Sequence, residues 1–134
     1  MKATEVVKRY ADAWNGRDAD ALVDCFTKDG TFCNPDTYPG VGGEALANYV
    51  KGVWAAFPDF SIELLNVGEI EPGLVADHWQ LRATDVGPRA DGSNGTGRTF
   101  SIKGASIVQV EGEKVRSDQS CFDGRALDKQ LAPS

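Results

Sequence analysis

The spacing of apolar residues follows a helical period over the first 57 residues. Val7, Tyr10, Ala11 and Trp14 recur at i, i+3, i+4 and i+7, which places them on one face of a helix. Two further stripes follow, and Pro58 ends the second of them because proline cannot continue a helix. The pattern predicts helices over residues 4–15, over a short segment from residue 18, and over residues 44–57.

Beyond Pro58 the period changes from helical to strand-like. "FSIELLNV" alternates apolar and polar residues, and the longer strands "LVADHWQLRAT", "RTFSIKGASIVQV" and "KVRSDQSCF" follow it. Helices that precede strands are typical of an α+β fold, and Gly104 inside a long strand favours a strongly curved sheet. We therefore expect one domain over residues 1–134, in which three N-terminal helices cover a cone-shaped antiparallel sheet and enclose a pocket.

The last predicted strand breaks the alternation. "VRSDQSCFD" begins at Val115, and every residue from Arg116 to Ser120 is polar. A strand that packs on a core should alternate, so this one faces solvent, a polar cavity or an interface. The pattern by itself leaves these three alternatives open.

Composition and charge limit the class of protein. The formal net charge is −6 and the pI is near 4.7, which argues against nucleic-acid binding. No apolar run could span a membrane, and charges interrupt the apolar pattern of the N-terminus, unlike a signal peptide. The three cysteines (Cys25, Cys33 and Cys121) indicate reduced thiols in a cytoplasmic protein. Because His78 is the single histidine, we expect no metal site, and we expect no cofactor.

Six segments, in their order and spacing, resemble one known family. They are "VVKRYADAWNGRDADALVDCFTKDGTF", "NP" at residues 34–35, "GGEALANYVKGVWAAFPDFSIELLNV", "VADHWQLRATDVG", "TGRTFSIKGASIVQVEGEKV" and "FDGRALDKQL". The chain thereby resembles the SnoaL-like polyketide cyclases and their ester cyclase relatives, within the nuclear transport factor 2-like superfold. The resemblance implies a small-molecule cavity lined by the last strand. It also implies a homodimer that pairs through the outer face of the sheet.

The resemblance also locates the acid/base positions. In the cyclases an aspartate in the last strand is the general acid/base, and a histidine in the preceding strand assists it. By position these fall on Ser120 and Ser106, and an unactivated serine cannot remove a proton next to a carbonyl group. Asp118 lies two residues before Ser120 and shares its face, where burial would raise the pKa of the carboxyl. We therefore predict Asp118 as the catalytic base, with Ser106 and Ser120 as hydrogen-bonding partners; a solvent-facing carboxylate is the alternative.

The strand at residues 74–84 supplies further candidates. Asp77 lies on the Trp79 face and is a second candidate carboxylate, whereas His78 lies on the opposite, outer face. Asp85 follows this strand at a position where many relatives of the family carry a histidine near the cavity mouth. Asp123 precedes the last predicted helix, "GRALDKQL", and is predicted to cap it.

The predicted substrate-binding residues are mostly aromatic. The resemblance implies that Trp14 and Tyr49 line the cavity, and aromatic walls suit a flat, apolar ligand. The set is Tyr10, Trp14, Tyr49, Trp79, Asp85 and Phe100, and core packing is the alternative for its aromatic members. The glycine-rich segment "GPRADGSNGTGR", residues 87–98, is predicted to form a hairpin tip or a lid.

Three functions fit these observations. We favour a cofactor-independent enzyme that performs proton-transfer chemistry (cyclisation, isomerisation or hydration/dehydration) on a small apolar molecule that is polycyclic or contains a carbonyl group. The second is a non-catalytic binding protein with the same pocket, because Ser120 and Ser106 replace the acid/base pair. The third is a protein-interaction module, which would have a filled cone and an apolar outer patch.

Overall fold

The computed structural model describes residues 1–88 and 92–132. The helices are α1 (Ala3–Gly16), α2 (Ala19–Asp24), α3 (Gly43–Ala56) and α4 (Gly124–Leu131). The strands are β1 (Phe26–Cys33), β2 (Ser61–Glu71), β3 (Leu74–Thr84), β4 (Thr99–Glu111) and β5 (Lys114–Phe122). The predicted α+β class is confirmed. Within the described ranges no helix is long and apolar enough to cross a membrane.

The five strands form one sheet in the order β1-β5-β4-β3-β2. Strands β2 to β5 pair antiparallel with their neighbours, as expected from the sequence. The sheet differs from the predicted antiparallel sheet in one respect: β1, which is not among the predicted strands, pairs in parallel with β5. This pairing makes β5 an interior strand. Its polar residues therefore do not lie on a solvent-exposed edge.

A β-bulge explains why β5 fails the alternation test. Val110 pairs with Val115 and Gln109 pairs with Ser117, so Arg116 is the extra residue on β5. In a regular strand Val115 and Asp118 would point to opposite faces, since their positions differ by three and side chains alternate at every residue. The bulge reverses the alternation between them, and both side chains are buried. Asp118 and Ser120 thereby join the apolar, inner face of the sheet.

Helices α1 and α3 bury their apolar stripes over this inner face. Full burial of a side chain such as Leu46 or Val50, both with no exposed surface, contributes about 1.5–3 kcal/mol. Asn15 fixes the end of α1 on β2: its Nδ2 donates to the Ile62 carbonyl at 2.9 Å, and the Ile62 amide donates to its Oδ1 at 2.8 Å. These two bonds hold the aromatic residues of α1 at a set height above the sheet.

Helix α4 closes the end of the sheet. The Asp123 carboxylate accepts from the Arg125 and Ala126 amides at 3.0 and 3.2 Å, which confirms the predicted cap. Gln130 then clamps the helix to β4, because its side chain both accepts from the Ser101 amide and donates to the Ser101 carbonyl, at 2.9 Å each. This docking brings Leu127 to the wall of the cavity described next.

Candidate active site

A cavity of about 660 Å³ lies between α1, α3, α4 and the inner face of the sheet. Its walls are mainly aromatic and aliphatic side chains. Five of the six predicted substrate-binding residues lie in this lining: Tyr10, Trp14, Tyr49, Trp79 and Phe100. A cavity of this size and character fits a flat, apolar molecule of two or three rings.

Asp118 is a buried carboxyl in the wall of this cavity, with only 3% of its surface exposed. The Tyr10 hydroxyl donates to its Oδ2 at 2.7 Å, and the Ser120 hydroxyl donates to its Oδ1 at 3.1 Å. Burial raises the pKa of Asp118 to about 7; the hydrogen bond from Tyr10 opposes that rise and the nearby Asp77 carboxylate adds to it. A carboxyl with a pKa near neutrality can both accept and return a proton at physiological pH.

Ser106 and Ser120 continue a hydrogen-bonded row away from Asp118. Their hydroxyl oxygens are 2.7 Å apart, and the Trp79 indole Nε1–H donates to Ser106 Oγ at 3.0 Å. The indole can only donate and an ionised carboxylate can only accept. The hydroxyl protons therefore run in one direction, from Ser106 to Ser120 and from Ser120 to Asp118. The two serines, at the positions that the resemblance gives to the acid/base pair, thus connect the Trp79 indole to the Asp118 carboxyl without ionising themselves.

Asp77 is a second carboxyl on the same wall. It lies opposite Ser106 in the β3–β4 register and is 8% exposed. Its Oδ1 is buried without a hydrogen-bond partner. Burial raises the pKa of Asp77 to about 6, and the neighbouring Ser106 hydroxyl opposes that rise. The alternation around Trp79 indicates this inward position from the sequence alone, although nothing in the sequence reveals the unpartnered oxygen.

A second polar group of side chains lies in the wall near the β1–α3 loop. Asn34 Nδ2 donates to the Tyr49 hydroxyl at 2.9 Å, and that hydroxyl lies 3.5 Å from Asp36 Oδ2. Burial raises the pKa of Tyr49 to about 12, with the Asp36 carboxylate adding to the rise. Sequence reasoning did not select Asn34 or Asp36. Asn34 entered the sequence analysis only within the "NP" segment of the resemblance, and Asp36 did not enter it.

Asp85 lies apart from the residues that line the cavity. It is fully buried, and its carboxylate accepts from the Thr96 amide at 3.0 Å, so it ties Thr96 to the end of β3. The lid predicted at residues 87–98 falls partly outside the described residues, which exclude 89–91. His78 is on the outer face as expected, with Nδ1 3.4 Å from Asn66 Nδ2. No cluster of three or more potential metal ligands occurs within the described segments.

The arrangement therefore offers two carboxyls with elevated pKa values, joined by hydroxyl groups and facing an aromatic cavity. Such groups can move a proton to and from carbon or oxygen of a bound molecule. None of the three cysteines lines the cavity, and so a thiol nucleophile does not face a bound molecule there.

Comparison with known proteins places the chain in a family. The family model for SnoaL-like polyketide cyclases matches residues 4–131, and the chain belongs to this family. No curated protein matches it.

Among solved structures, the chain is similar to AclR from Streptomyces galilaeus, a proposed hydroxylase, at 22% identity and a TM-score of 0.81, with 98% of this chain and 83% of that one covered. It is also similar to IdmH from Streptomyces antibioticus, a proposed polyketide cyclase, at 19% identity and a TM-score of 0.83, covering 98% and 99%. A protein from Catenulispora acidiphila DSM 44928 with a ketosteroid isomerase-like fold matches at 20% identity and a TM-score of 0.81, covering 95% and 92%. At these identities the structures show the shared fold.

Proposed function

We propose that this SnoaL-like chain is a cofactor-independent enzyme that transfers protons on a small, apolar molecule with a carbonyl group, and that Asp118 accepts the proton. The observation that carries the proposal is the buried Asp118 carboxyl, held by Tyr10 and Ser120 in the wall of an aromatic cavity. Cyclisation, isomerisation and dehydration of such molecules all begin with removal of a proton next to a carbonyl group. That step needs a base whose pKa lies near the working pH.

The surroundings of Asp118 suit this task. Burial raises the pKa of Asp118 toward neutrality, and two donated hydrogen bonds keep the ionised form accessible. Each carboxylate oxygen can accept more than one hydrogen bond, so the bonds from Tyr10 and Ser120 leave capacity for a proton. Trp79 and Phe100 in the walls exclude water from the reacting atoms and hold a flat ring system.

Deuterium exchange into β-tetralone, a bicyclic ketone with acidic hydrogens next to its carbonyl, tests the proposal. We expect the wild-type protein to accelerate the exchange measured by NMR, and Asp118→Asn to lose about 100-fold or more of that acceleration. Glu63→Gln is the matched control, since it removes one carboxylate from the exposed side of β2. Undiminished exchange in Asp118→Asn would refute the role of Asp118.

One observation favours a non-catalytic binding protein as a second candidate. Both oxygens of Asp118 already accept hydrogen bonds within the protein, so a purely structural role would leave this carboxyl satisfied. In that case β-naphthol, a flat bicyclic phenol, would bind in the cavity while no ketone of similar size undergoes exchange. Fluorescence titration with β-naphthol and the exchange assay together distinguish the two candidates.

We also propose that two copies pair through the outer face of the sheet. This face carries His78 and Ile107, and Ile107 is a large apolar side chain with 43% of its surface exposed. Sedimentation analysis of the wild type and of Ile107→Lys tests the pairing. A wild-type protein that stays monomeric at high concentration would contradict it.

A further inference from the structure

The unpartnered oxygen of Asp77 is the least explained polar atom of the cavity wall. Among the described residues three buried side-chain atoms lack a hydrogen-bond partner: Thr27 Oγ1, Trp54 Nε1 and Asp77 Oδ1. Of these residues only Asp77 lines the cavity. Leaving a buried acceptor unsatisfied costs about 1–3 kcal/mol, and such atoms occur where a ligand or a reaction uses them. The Asp77 carboxyl therefore brings to the cavity wall hydrogen-bonding capacity that the described residues leave unused.

Asp77 also stands at one end of a row of side chains that ends at Asp118. Asp77 pairs with Ser106 across β3 and β4, and Ser106 pairs with Ser120 across β4 and β5. Paired residues of adjacent strands point to the same face, so the three side chains are lateral neighbours. Ser120 then donates to Asp118, one pleat away on its own strand. Two carboxyls are thus separated by two hydroxyl groups.

The direction of the hydroxyl protons makes this row usable for proton transfer. Ser106 accepts from Trp79 with one lone pair; when its hydroxyl donates toward Ser120, its second lone pair can accept from a protonated Asp77. Ser120 accepts from Ser106 and donates to Asp118. A proton that arrives on Asp77 makes this carboxyl a donor, so that the Ser106 hydroxyl turns from Asp77 toward Ser120 and the proton can enter the row at Ser106.

We propose that Asp77 is a second catalytic carboxyl that contacts the substrate, and that Ser106 and Ser120 relay the proton between Asp77 and Asp118. The inference rests on the proposed proton-transfer function and adds the point of contact and the route. It assigns to the two serines, at the positions of the family's acid/base pair, the task of a relay.

The proposed step transfers one proton from a carbon of the substrate to Asp118. The C–H bond next to the substrate carbonyl breaks, its proton forms an O–H bond with the Asp77 carboxylate, and its electron pair moves onto the carbonyl oxygen to give an enolate. Rotation of the protonated carboxyl about its Cβ–Cγ bond presents this proton to Ser106; Ser106 then accepts it and passes its own proton to Ser120, and Ser120 passes its own to Asp118. One proton has then moved from carbon to Asp118, and the reverse route returns it to another carbon or to an oxygen. Asp118 is the more deeply buried of the two, so burial raises its pKa more and favours the proton on that carboxyl.

Three variants test the proposal in the β-tetralone exchange assay. We expect Asp77→Asn to lose about 100-fold or more, since it removes the group in contact with the substrate. Ser106→Ala should lose at least about 10-fold because it interrupts the relay, and Ser106→Thr should recover most of that loss because it retains the hydroxyl. Exchange at the wild-type rate in Asp77→Asn, or equal rates in the alanine and threonine variants, would overturn the inference.

The same set separates this inference from the proposed function. If Asp118→Asn loses activity and Asp77→Asn retains it, Asp118 acts directly; the roles given to Asp77 and to the relay are then wrong, and the proposed function stands. If Asp77→Asn loses activity and Asp118→Asn retains it, the role of Asp118 and the relay both fail. Near-UV circular dichroism of each variant establishes that the fold is retained before the rates are compared.

Two measurements without turnover keep the inference testable if the ketone proves a poor substrate. NMR of isotope-labelled aspartate carboxyl carbons should show that Asp77→Asn lowers the pKa of Asp118, because a neighbouring negative charge has been removed. The β-naphthol hydroxyl should donate to the Asp77 carboxylate, so Asp77→Asn should weaken its binding by about 10-fold or more, whereas Glu63→Gln should not. An unmoved Asp118 titration or unchanged naphthol affinity in Asp77→Asn would each count against it.

Discussion

Replacement of Asp118 by asparagine should change how the stability of the protein depends on pH. Burial raises the pKa of Asp118 in the folded protein from its ordinary value of 3.8 to about 7. At about pH 5 the folded state therefore holds a proton on this carboxyl that the unfolded chain has already lost. A group whose folded pKa is raised stabilises the protein at low pH and loses that contribution as the pH rises through the folded pKa. The wild-type protein should accordingly lose stability between about pH 5 and about pH 8.

The magnitude follows from the size of the shift. Each pKa unit corresponds to about 1.4 kcal/mol, and about two units of the shift lie within this pH window. The contribution of Asp118 to the free energy of unfolding should fall by roughly 3 kcal/mol between about pH 5 and about pH 8. That is a large share of the 5–15 kcal/mol that is typical of a small domain. Asparagine keeps the shape of the side chain and cannot ionise, so this contribution is absent from the variant.

Urea unfolding of both proteins at a series of pH values measures the effect. The quantity of interest is the difference in free energy of unfolding between variant and wild type, because the other carboxyls are common to both. This difference should move in favour of Asp118→Asn by roughly 3 kcal/mol as the pH rises. For Glu63→Gln, whose side chain is exposed, the difference in free energy of unfolding should stay within about 0.5 kcal/mol at every pH. A flat difference curve for Asp118→Asn would mean that Asp118 does not ionise in this range, which removes the basis for its role as a base.

Three further substitutions have definite expected outcomes. Tyr10→Phe should raise the pKa of Asp118 by about one to two units, measured by carboxyl-carbon NMR, because it removes a short hydrogen bond to the ionised form. Gly104→Ala should destabilise the fold by about 1–3 kcal/mol and shift the tryptophan fluorescence, since its Cβ would overlap the Trp79 indole ring. Asp123→Ala should cost about 1 kcal/mol in urea unfolding through loss of the α4 cap, whereas the exposed Asp128→Ala should cost less.

Most helices and strands of the fold could be predicted from the spacing of apolar residues within short stretches of sequence. The helical stripe through Tyr10 and Trp14 and the alternation around Trp79 both gave the correct face, because the side chains on these elements repeat regularly. The parallel pairing of β1 with β5 could not be predicted from these local patterns. Those strands are about 90 residues apart, and no local pattern specifies which strand lies beside which.

In the candidate site, too, positions set by local spacing could be predicted, and positions set by contacts between distant residues could not. The inward position of Asp118 followed from its spacing to Ser120, although the bulge at Arg116 that makes it compatible with a buried Val115 could not be predicted. Asp85 illustrates the opposite case. Its position after β3 suggested the cavity mouth, but its carboxylate instead accepts from the amide of Thr96. Contacts of that kind depend on a loop path that periodicity does not encode.

Position-by-position comparison with the family's acid/base pair also gives an incomplete account of this site. A carboxyl at position 120 would face Ser106 across the strands, whereas Asp118 pairs with Val108 and is close enough to α1 to receive the Tyr10 hydroxyl. A carboxyl at position 118 rather than at position 120 therefore stays on the same face of the sheet but has Tyr10 as a partner in place of Ser106. Positions 106 and 120 then hold residues that donate and accept without ionising, and the ionisable groups stand at the two ends of the row. The ionisable groups of this cavity wall are thus the carboxyls at positions 77 and 118, at the two ends of a row that crosses three strands. A substitution at position 120 alone removes neither of them.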